Sequence, residues 1–330
     1  MEEISDHDGK PTMSDDQAIL GVYLSETLDL HALYGDALSK AAGEVVLVRP
    51  EDVTDPAEVR FAICWQAGPD AFAPYANLGL AMSIGAGVDD LMAHPGLGPD
   101  IAIARVRDPH QAALMAGYAA HEVLHVSRGF GQMAASAAEH RWEPIPMRAP
   151  EETTIAVLGN GTMGQAVTRA LGALGFTLRV ACRTAPSEPL PSVSYHIGET
   201  GPKEAAEGAD FLINILPLTP ATDGILNAAL FSKMARGSWL IQIGRGENLD
   251  EADLVSALNE GQLAGATLDV FRQEPLPQDH PFWQDARLRI TPHIASDSVP
   301  AVVAQQVVET ARQLRDGMPL SMGVDRKRGY

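Results

Sequence analysis

The stretch that most constrains this chain is residues 154–164, T-I-A-V-L-G-N-G-T-M-G. Residues 155–158 form a short apolar run, the pattern of a strand buried on both faces. Gly159, Gly161 and Gly164 follow in G-x-G-x-x-G spacing. Residues 162–174 then carry Ala, Val and Leu at helical spacing, with Gly175 as a stop. Strand, glycine turn and helix are the three parts of a unit that binds the pyrophosphate of a dinucleotide. Gly159 allows the tight turn, Gly161 lets backbone N–H groups approach the ligand, and Gly164 lets the helix pack closely on the strand. Thr162 and Met163 open the helix, whose N-terminal donors and dipole favour a phosphate. Glycines also mark ordinary turns, so the strand and helix on either side give the motif its weight.

A chain of 330 residues suggests two domains, each able to bury a core. The net charge of −19 argues against nucleic acid or an anionic membrane as the main partner, and any anion site must be made positive locally. The two cysteines, Cys64 and Cys182, stand in no metal or redox spacing and read as reduced thiols in a cytoplasmic protein. No apolar run is long enough to span a bilayer. Residues 1–16 are acidic and polar and read as a disordered leader, with Met13 as an alternative start.

Strands are expected at 18–24, 45–48, 61–65, 80–84 and 101–106, with a helix at 26–42. Strands alternating with helices or loops suggest a parallel α/β sheet. Residues 83–90, S-I-G-A-G-V-D-D, place a glycine-rich turn after a strand, where backbone N–H groups can gather round an anion. Residues 111–129 form an amphipathic helix containing His121, Glu122 and His125 in H-E-x-x-H order. That order suits a zinc peptidase, but no third histidine follows at the spacing that would complete a metal site. The expectation is therefore a surface or interface helix and no metal.

Residues 141–150 are Pro-rich and read as a linker. The central unit continues with a strand at 178–182. An NAD-binding protein usually places Asp or Glu at the end of this strand to hold the ribose 2′-hydroxyl. Cys182, Arg183 and Thr184 stand there instead, so nothing repels a 2′-phosphate and Arg183 and Thr184 can bind one. NADP(H) is the expected cofactor. Further strands are expected at 211–216, 239–243, 266–270 and 288–290, helices at 227–234 and 251–259, and a helix at 302–315 that returns to the first domain.

The chain resembles the D-isomer-specific 2-hydroxyacid dehydrogenases over nearly its full length after the leader. The matching pieces are Gly85–Ala86–Gly87–Val88–Asp89, the 159–164 motif, Leu216–Pro217–Leu218–Thr219, Gly244–Arg245–Gly246, Leu268–Asp269–Val270–Phe271, Gln273–Glu274–Pro275–Leu276 and Thr291–Pro292–His293. Trp65, the 182–184 segment and the ending V-D-R-K-R-G-Y look most like the glyoxylate/hydroxypyruvate reductases of the A type. Ala185 and Pro186 depart from that pattern, which often has further cations there, so NAD(H) use is expected beside NADP(H).

The resemblance implies a fold of two doubly wound parallel-sheet α/β domains. A flavodoxin-like substrate domain spans 1–109 and 299–330, and a Rossmann dinucleotide-binding domain spans 110–298. The active site is expected in the cleft between them. Reducing a 2-oxo acid needs a carboxylate anchor, a proton donor and a hydride source. Arg245 offers a permanently charged fork for the carboxylate or carbonyl oxygen. His293 can donate the proton, and Glu274 can orient the imidazole and favour its charged form. By resemblance, Leu216 and Pro217 border the cofactor, and Asp269 and the backbone near Ile243 hold the nicotinamide carboxamide. Likewise the N–H groups of Ala86 and Gly87 receive the substrate carboxylate, and Trp65 lines a small pocket. The expected partners are a small anionic 2-oxo or 2-hydroxy acid and a second copy of the chain in a homodimer. The alternatives are a D-2-hydroxyacid dehydrogenase acting on a different 2-oxo acid and, from another class, a non-catalytic dinucleotide sensor.

Overall fold

The computed structural model describes residues 18–41 and 43–326. The leader, Met13 and residues 327–330 of the basic ending lie outside them. The chain divides into two compact units, one running up to Asp108 and resuming at Ser298, the other Pro109–Asp297.

The first unit begins with strand β1 (Ile19–Ser25), helix α1 (Leu30–Ala41), β2 (Val45–Val48), β3 (Val59–Trp65), β4 (Leu80–Ser83), the short α2 (Asp89–Ala93) and β5 (Ala102–Arg105). The strands pair in parallel in the order β2-β1-β3-β4-β5. Helix α1 starts at Leu30, later than its periodicity suggests, because the Asp29 carboxylate accepts the Ala32 N–H at 2.9 Å and caps it there.

The second unit opens with α3 (Pro109–Ser127) and α4 (Phe130–Ala138). It continues with β6 (Thr154–Leu158), α5 (Thr162–Ala173), β7 (Thr177–Cys182), β8 (Val193–Ile197), α6 (Gly201–Ala206) and β9 (Phe211–Asn214). Then follow α7 (Ala228–Phe231), β10 (Ser238–Gln242), α8 (Glu251–Asn259), β11 (Leu263–Leu268) and β12 (Leu288–Ile290). Its seven strands are all parallel, in the order β12-β11-β10-β9-β6-β7-β8. Strands β6, β9 and β10 are near-continuous apolar runs because helices cover both faces of the sheet. On one face, α5 buries Gly164, Val167, Thr168 and Leu171, the i, i+3, i+4, i+7 stripe of a docked helix, against Ala116, Ala119 and Val123 of α3. The chain order reverses between β9 and β6, so a topological switch point lies at the carboxyl end of β6, where such sheets bind ligands.

Helix α9 (Pro300–Arg315) then returns to the first unit. It buries Val303, Ala304, Val307, Val308 and Ala311 against a core that includes Leu30, Tyr34 and Leu38 of α1 and Phe61 and Ile63 of β3.

Candidate active site

Parallel pairing sends every strand end of the second unit to one edge of its sheet. That edge carries the residues singled out from the sequence: Gly159 after β6, Arg183 and Thr184 after β7, and Leu216 and Pro217 after β9. Ile243 and Arg245 follow β10, Asp269 follows β11 and His293 follows β12.

The glycine turn is built as its spacing requires. Gly159 sits at φ +110°, a conformation that L side chains rarely adopt. A Cβ on Gly164 would lie 2.0 Å from the Gly159 carbonyl oxygen, so only glycine closes the turn onto α5. A Cβ on Gly161 would meet nothing within 4 Å, which leaves open space in front of the turn. The first N–H groups of α5, Thr162 and Met163 among them, have no intrahelical partners. Asn160 adds a buried side-chain oxygen with no hydrogen-bond partner. Open space, spare donors and an unused acceptor at a helix N-terminus fit a dinucleotide pyrophosphate and its sugar hydroxyls. Arg183 and Thr184 are exposed at the adjoining strand end, and no carboxylate occupies either position.

At the other end of the edge, His293 Nδ1 lies 2.8 Å from Glu274 Oε2. Glu274 Oε1 accepts the Phe271 N–H at 2.9 Å, which fixes the carboxylate plane. Burial alone raises the Glu274 pKa. The His293 hydrogen bond and charge, the Phe271 N–H and the nearby Arg245 charge outweigh it and hold the carboxyl below its ordinary value. An ionised Glu274 only accepts, so Nδ1 carries the hydrogen of this bond. His293 sits at φ +53°, a left-handed conformation that costs a non-glycine residue roughly 1–2 kcal/mol. Asp269, 1% exposed, holds this turn from below. Its backbone oxygen accepts the His293 N–H at 2.8 Å, and its carboxylate accepts the Ile294 and Ala295 N–H groups, each at 2.9 Å.

Arg245 is set by residues that the sequence reading missed. Asn214, Gln242 and Asn248 are each 0% exposed. Asn214 Nδ2 donates to Gln242 Oε1 at 2.7 Å and to Asn248 Oδ1 at 3.0 Å. Gln242 Nε2 donates to the Arg245 carbonyl at 2.7 Å, and Asn248 Oδ1 accepts the Arg245 N–H at 3.0 Å. Their signal was an amide ending each apolar strand, in F-L-I-N and W-L-I-Q. Arg245 Nη1 also bonds the Gly244 carbonyl at 2.9 Å.

In the first unit, Trp65 ends β3 and Ala86 and Gly87 follow β4. The structure brings the first of these to the glycine turn, because the Trp65 ring stands 3.0 Å from where a Gly85 Cβ would be. The turn is pinned by Arg105 Nη1, which bonds the Ala86 carbonyl at 3.0 Å, and by the Val106 N–H, 3.2 Å from the Gly85 carbonyl.

The H-E-x-x-H residues have other work. Glu122 Oε2 accepts from Arg289 Nε at 2.7 Å and from the Thr267 hydroxyl at 2.8 Å. Arg289 Nη1 lies 3.0 Å from His125 Nε2, and His121 Nδ1 lies 2.8 Å from Glu122 Oε1. The carboxylate that would serve a metal peptidase is consumed by an arginine, and the guanidinium faces the His125 ring nitrogen. Among the described residues, no group of three His, Cys, Asp or Glu could hold a metal ion, and no helix is long and apolar enough to cross a membrane.

A nucleotide-binding edge joined to a carboxylate-supported histidine defines a dinucleotide-dependent oxidoreductase, and comparison with known proteins gives its family. Residues 120–295 match the family model of the D-isomer-specific 2-hydroxyacid dehydrogenase NAD-binding domain. Glyoxylate/hydroxypyruvate reductase A of Yersinia enterocolitica is 36% identical over 282 residues, 84% of this chain and 89% of the relative. The Salmonella typhi protein of that name is 36% identical over 304 residues, 91% of this chain and 96% of the relative. Among solved structures, a Xanthobacter autotrophicus D-isomer-specific 2-hydroxyacid dehydrogenase in complex with NADPH and MES superposes with a TM-score of 0.85. It has 35% identity and covers 95% of this chain and 100% of its own. The NADPH-dependent glyoxylate/hydroxypyruvate reductase of Sinorhizobium meliloti, in complex with NADP and sulfate, gives a TM-score of 0.86. It has 30% identity and covers 94% of this chain and 99% of its own. The chain belongs to the D-isomer-specific 2-hydroxyacid dehydrogenase family and is an NAD(P)-dependent oxidoreductase.

Proposed function

We propose that the chain is an NADPH-dependent reductase of small 2-oxo acids, converting glyoxylate to glycolate and hydroxypyruvate to D-glycerate. The observation that carries this reading is the 2.8 Å Glu274–His293 pair on the sheet edge that also bears the 159–164 turn. The names of the curated relatives support the substrate class. The NADPH and NADP complexes of related structures, with Arg183 in place of a carboxylate, support the cofactor.

The dinucleotide would lie along the turn at Gly159, Gly161, Thr162, Met163 and Gly164, with Arg183 and Thr184 on the 2′-phosphate and Leu216 and Pro217 along its flank. Its nicotinamide supplies the hydride for the substrate carbonyl carbon. Asp269 spends three acceptor positions on the turn and Thr291 and keeps room for one further donor, which suits the carboxamide assigned to it and to the Ile243 backbone. His293 Nε2 donates a proton to the substrate oxygen and takes it back in the reverse direction. Glu274 holds the ring through Nδ1. Arg245 binds the carboxylate or the carbonyl oxygen and stabilises charge that develops there.

The first unit carries the substrate role in this proposal, with the Ala86 and Gly87 N–H groups as an anion cradle and Trp65 as its wall. The homodimer belongs to the same proposal. Leu114 of α3, Phe130 of α4, Met147 and Trp142 are exposed, Trp142 by 99%, more than a lone surface residue needs. Light scattering that finds a monomer at micromolar concentration would refute the dimer. The cytoplasmic setting also belongs to this proposal and rests on the free Cys64 and Cys182.

The deciding experiment follows loss of NADPH absorbance with glyoxylate, hydroxypyruvate and pyruvate in parallel, repeated with NADH. Fast turnover of the first two with NADPH is expected. Tight NADPH binding with no turnover of any of them would overturn the substrate assignment.

A further inference from the structure

Tyr118 belongs to α3, far in sequence from the His293 turn, and no part of the proposed chemistry uses it. Its hydroxyl lies 2.6 Å from Thr291 Oγ1, and Thr291 Oγ1 lies 2.6 Å from Asp269 Oδ1. The direction of this chain follows from proton counting. An ionised carboxylate only accepts, so the single Thr291 hydroxyl proton points to Asp269, and Tyr118 must donate to Thr291. Burial, the largest influence on the Tyr118 phenol, raises its pKa, so it stays a neutral donor. The end of the chain is the carboxylate that holds the Ile294 and Ala295 N–H groups under the left-handed His293.

We propose that Tyr118 and Thr291 are positioning residues, a one-way donor chain that fixes the Asp269 carboxylate and through it the turn presenting His293. The proposal rests on His293 being the proton donor. Asp269 is buried and faces several donors, so without the Thr291 hydroxyl its carboxylate can rotate about χ2 and release an amide of the turn. A histidine in a strained backbone conformation keeps its place only while its surroundings over-determine it. A small displacement of the ring costs rate, because proton transfer depends on hydrogen-bond reach to the substrate oxygen. Tyr118 acts one step earlier. Its donation polarises the Thr291 hydroxyl and strengthens the bond that hydroxyl makes to Asp269. Four residues along α3, Glu122 grips Arg289 of β12, so the same helix face holds the strand that leads into the turn at a second point.

The test compares Tyr118→Phe, Thr291→Val, Thr291→Ser and His293→Gln for kcat, KM for glyoxylate and the dissociation constant for NADPH by fluorescence. Thr291→Val is expected to lower kcat about tenfold or more and Tyr118→Phe about threefold, with NADPH binding weakened by less than about tenfold, the share of the one carboxamide bond that Asp269 makes. Thr291→Ser keeps the hydroxyl and is expected to restore kcat to within about twofold. Equal loss in Thr291→Ser and Thr291→Val would mean that the methyl packing matters and the donor does not, and would overturn the proposal. So would wild-type kcat in Thr291→Val. If Thr291→Val does not fold, Tyr118→Phe, which keeps the ring, decides alone, and wild-type kcat there overturns the proposal. His293→Gln separates the two readings. Full activity in that variant removes His293 from the mechanism, whereas an inactive His293→Gln beside an unimpaired Thr291→Val removes only the donor chain.

Discussion

Replacing Glu274 with Gln tests the electrostatic part of the catalytic pair. Glutamine keeps the shape and an acceptor for the Nδ1 hydrogen, removes the charge and turns its NH2 towards the Phe271 N–H. Glu274 Oε2 and His293 Nδ1 are 2.8 Å apart, and the imidazolium charge spreads over the ring. Taking about 4 Å as the effective separation and about 20 as the dielectric constant, the attraction is about 4 kcal/mol. The two side chains are 20% and 29% exposed, and solvent screening reduces this to about 1.5–3 kcal/mol. At 1.36 kcal/mol per factor of ten that is about ten- to a hundredfold in rate. The carboxylate stabilises the positive charge that the ring gains as it takes the proton of the hydroxy acid, so kcat for glycolate oxidation by NADP should fall about ten- to a hundredfold in Glu274→Gln. Initial rates of NADPH formation read this directly. Wild-type kcat in that variant would show that Glu274 orients the ring without stabilising its charge.

Three further outcomes are expected. Gly164→Ala puts a methyl 2.0 Å from the Gly159 carbonyl oxygen, so fluorescence titration should show NADPH binding weakened at least about tenfold while circular dichroism is unchanged. Arg183→Ala should raise KM for NADPH about tenfold and leave KM for NADH nearly unchanged; equal effects on both would remove Arg183 from cofactor selection. Glu122→Gln breaks a pair whose carboxylate is 3% and guanidinium 35% exposed, and urea denaturation should show a loss of about 2–3 kcal/mol. Burial, the largest influence, raises the Glu122 pKa, but hydrogen bonds from Arg289 and Thr267 and the Arg289 charge leave it lowered from 4.5. The stabilisation is then present above about pH 4.5 and lost as pH falls through the lower folded value, so mutant and wild type should converge in acid.

The parts of the site legible in the sequence are those whose requirement is local. A turn that needs Gly159, Gly161 and Gly164 must write three glycines within six residues, and Thr291–Pro292–His293 announces itself in the same way. The parts that stayed hidden satisfy partners across strands. Asn214, Gln242 and Asn248 lie on β9, at the end of β10 and beyond it, and their mutual bonds exist only because β9 and β10 are neighbours. Strand β8, V-S-Y-H-I, also went unread, because an edge strand with half-exposed faces lacks the apolar run that marked the central strands. Helix α4 was missed because the chain turns at Gly129, φ +62°, and the signal that ends α3 conceals the start of the next helix.

The H-E-x-x-H stretch and the 159–164 stretch differ in what folding leaves them to bind with. Both have the right residues at the right spacing on the right element. The glycine turn ends with open space and an unpartnered Asn160 side-chain oxygen, so it keeps binding capacity within the described residues. Glu122 ends with its capacity spent on Arg289, Thr267 and His121. The discriminating quantity is therefore the hydrogen-bonding capacity left over after folding, and spacing alone cannot report it. Arg289 supplied the one warning in the sequence. A cation within β12, a strand that packs under α3, must find a carboxylate, and Glu122 is the one α3 offers.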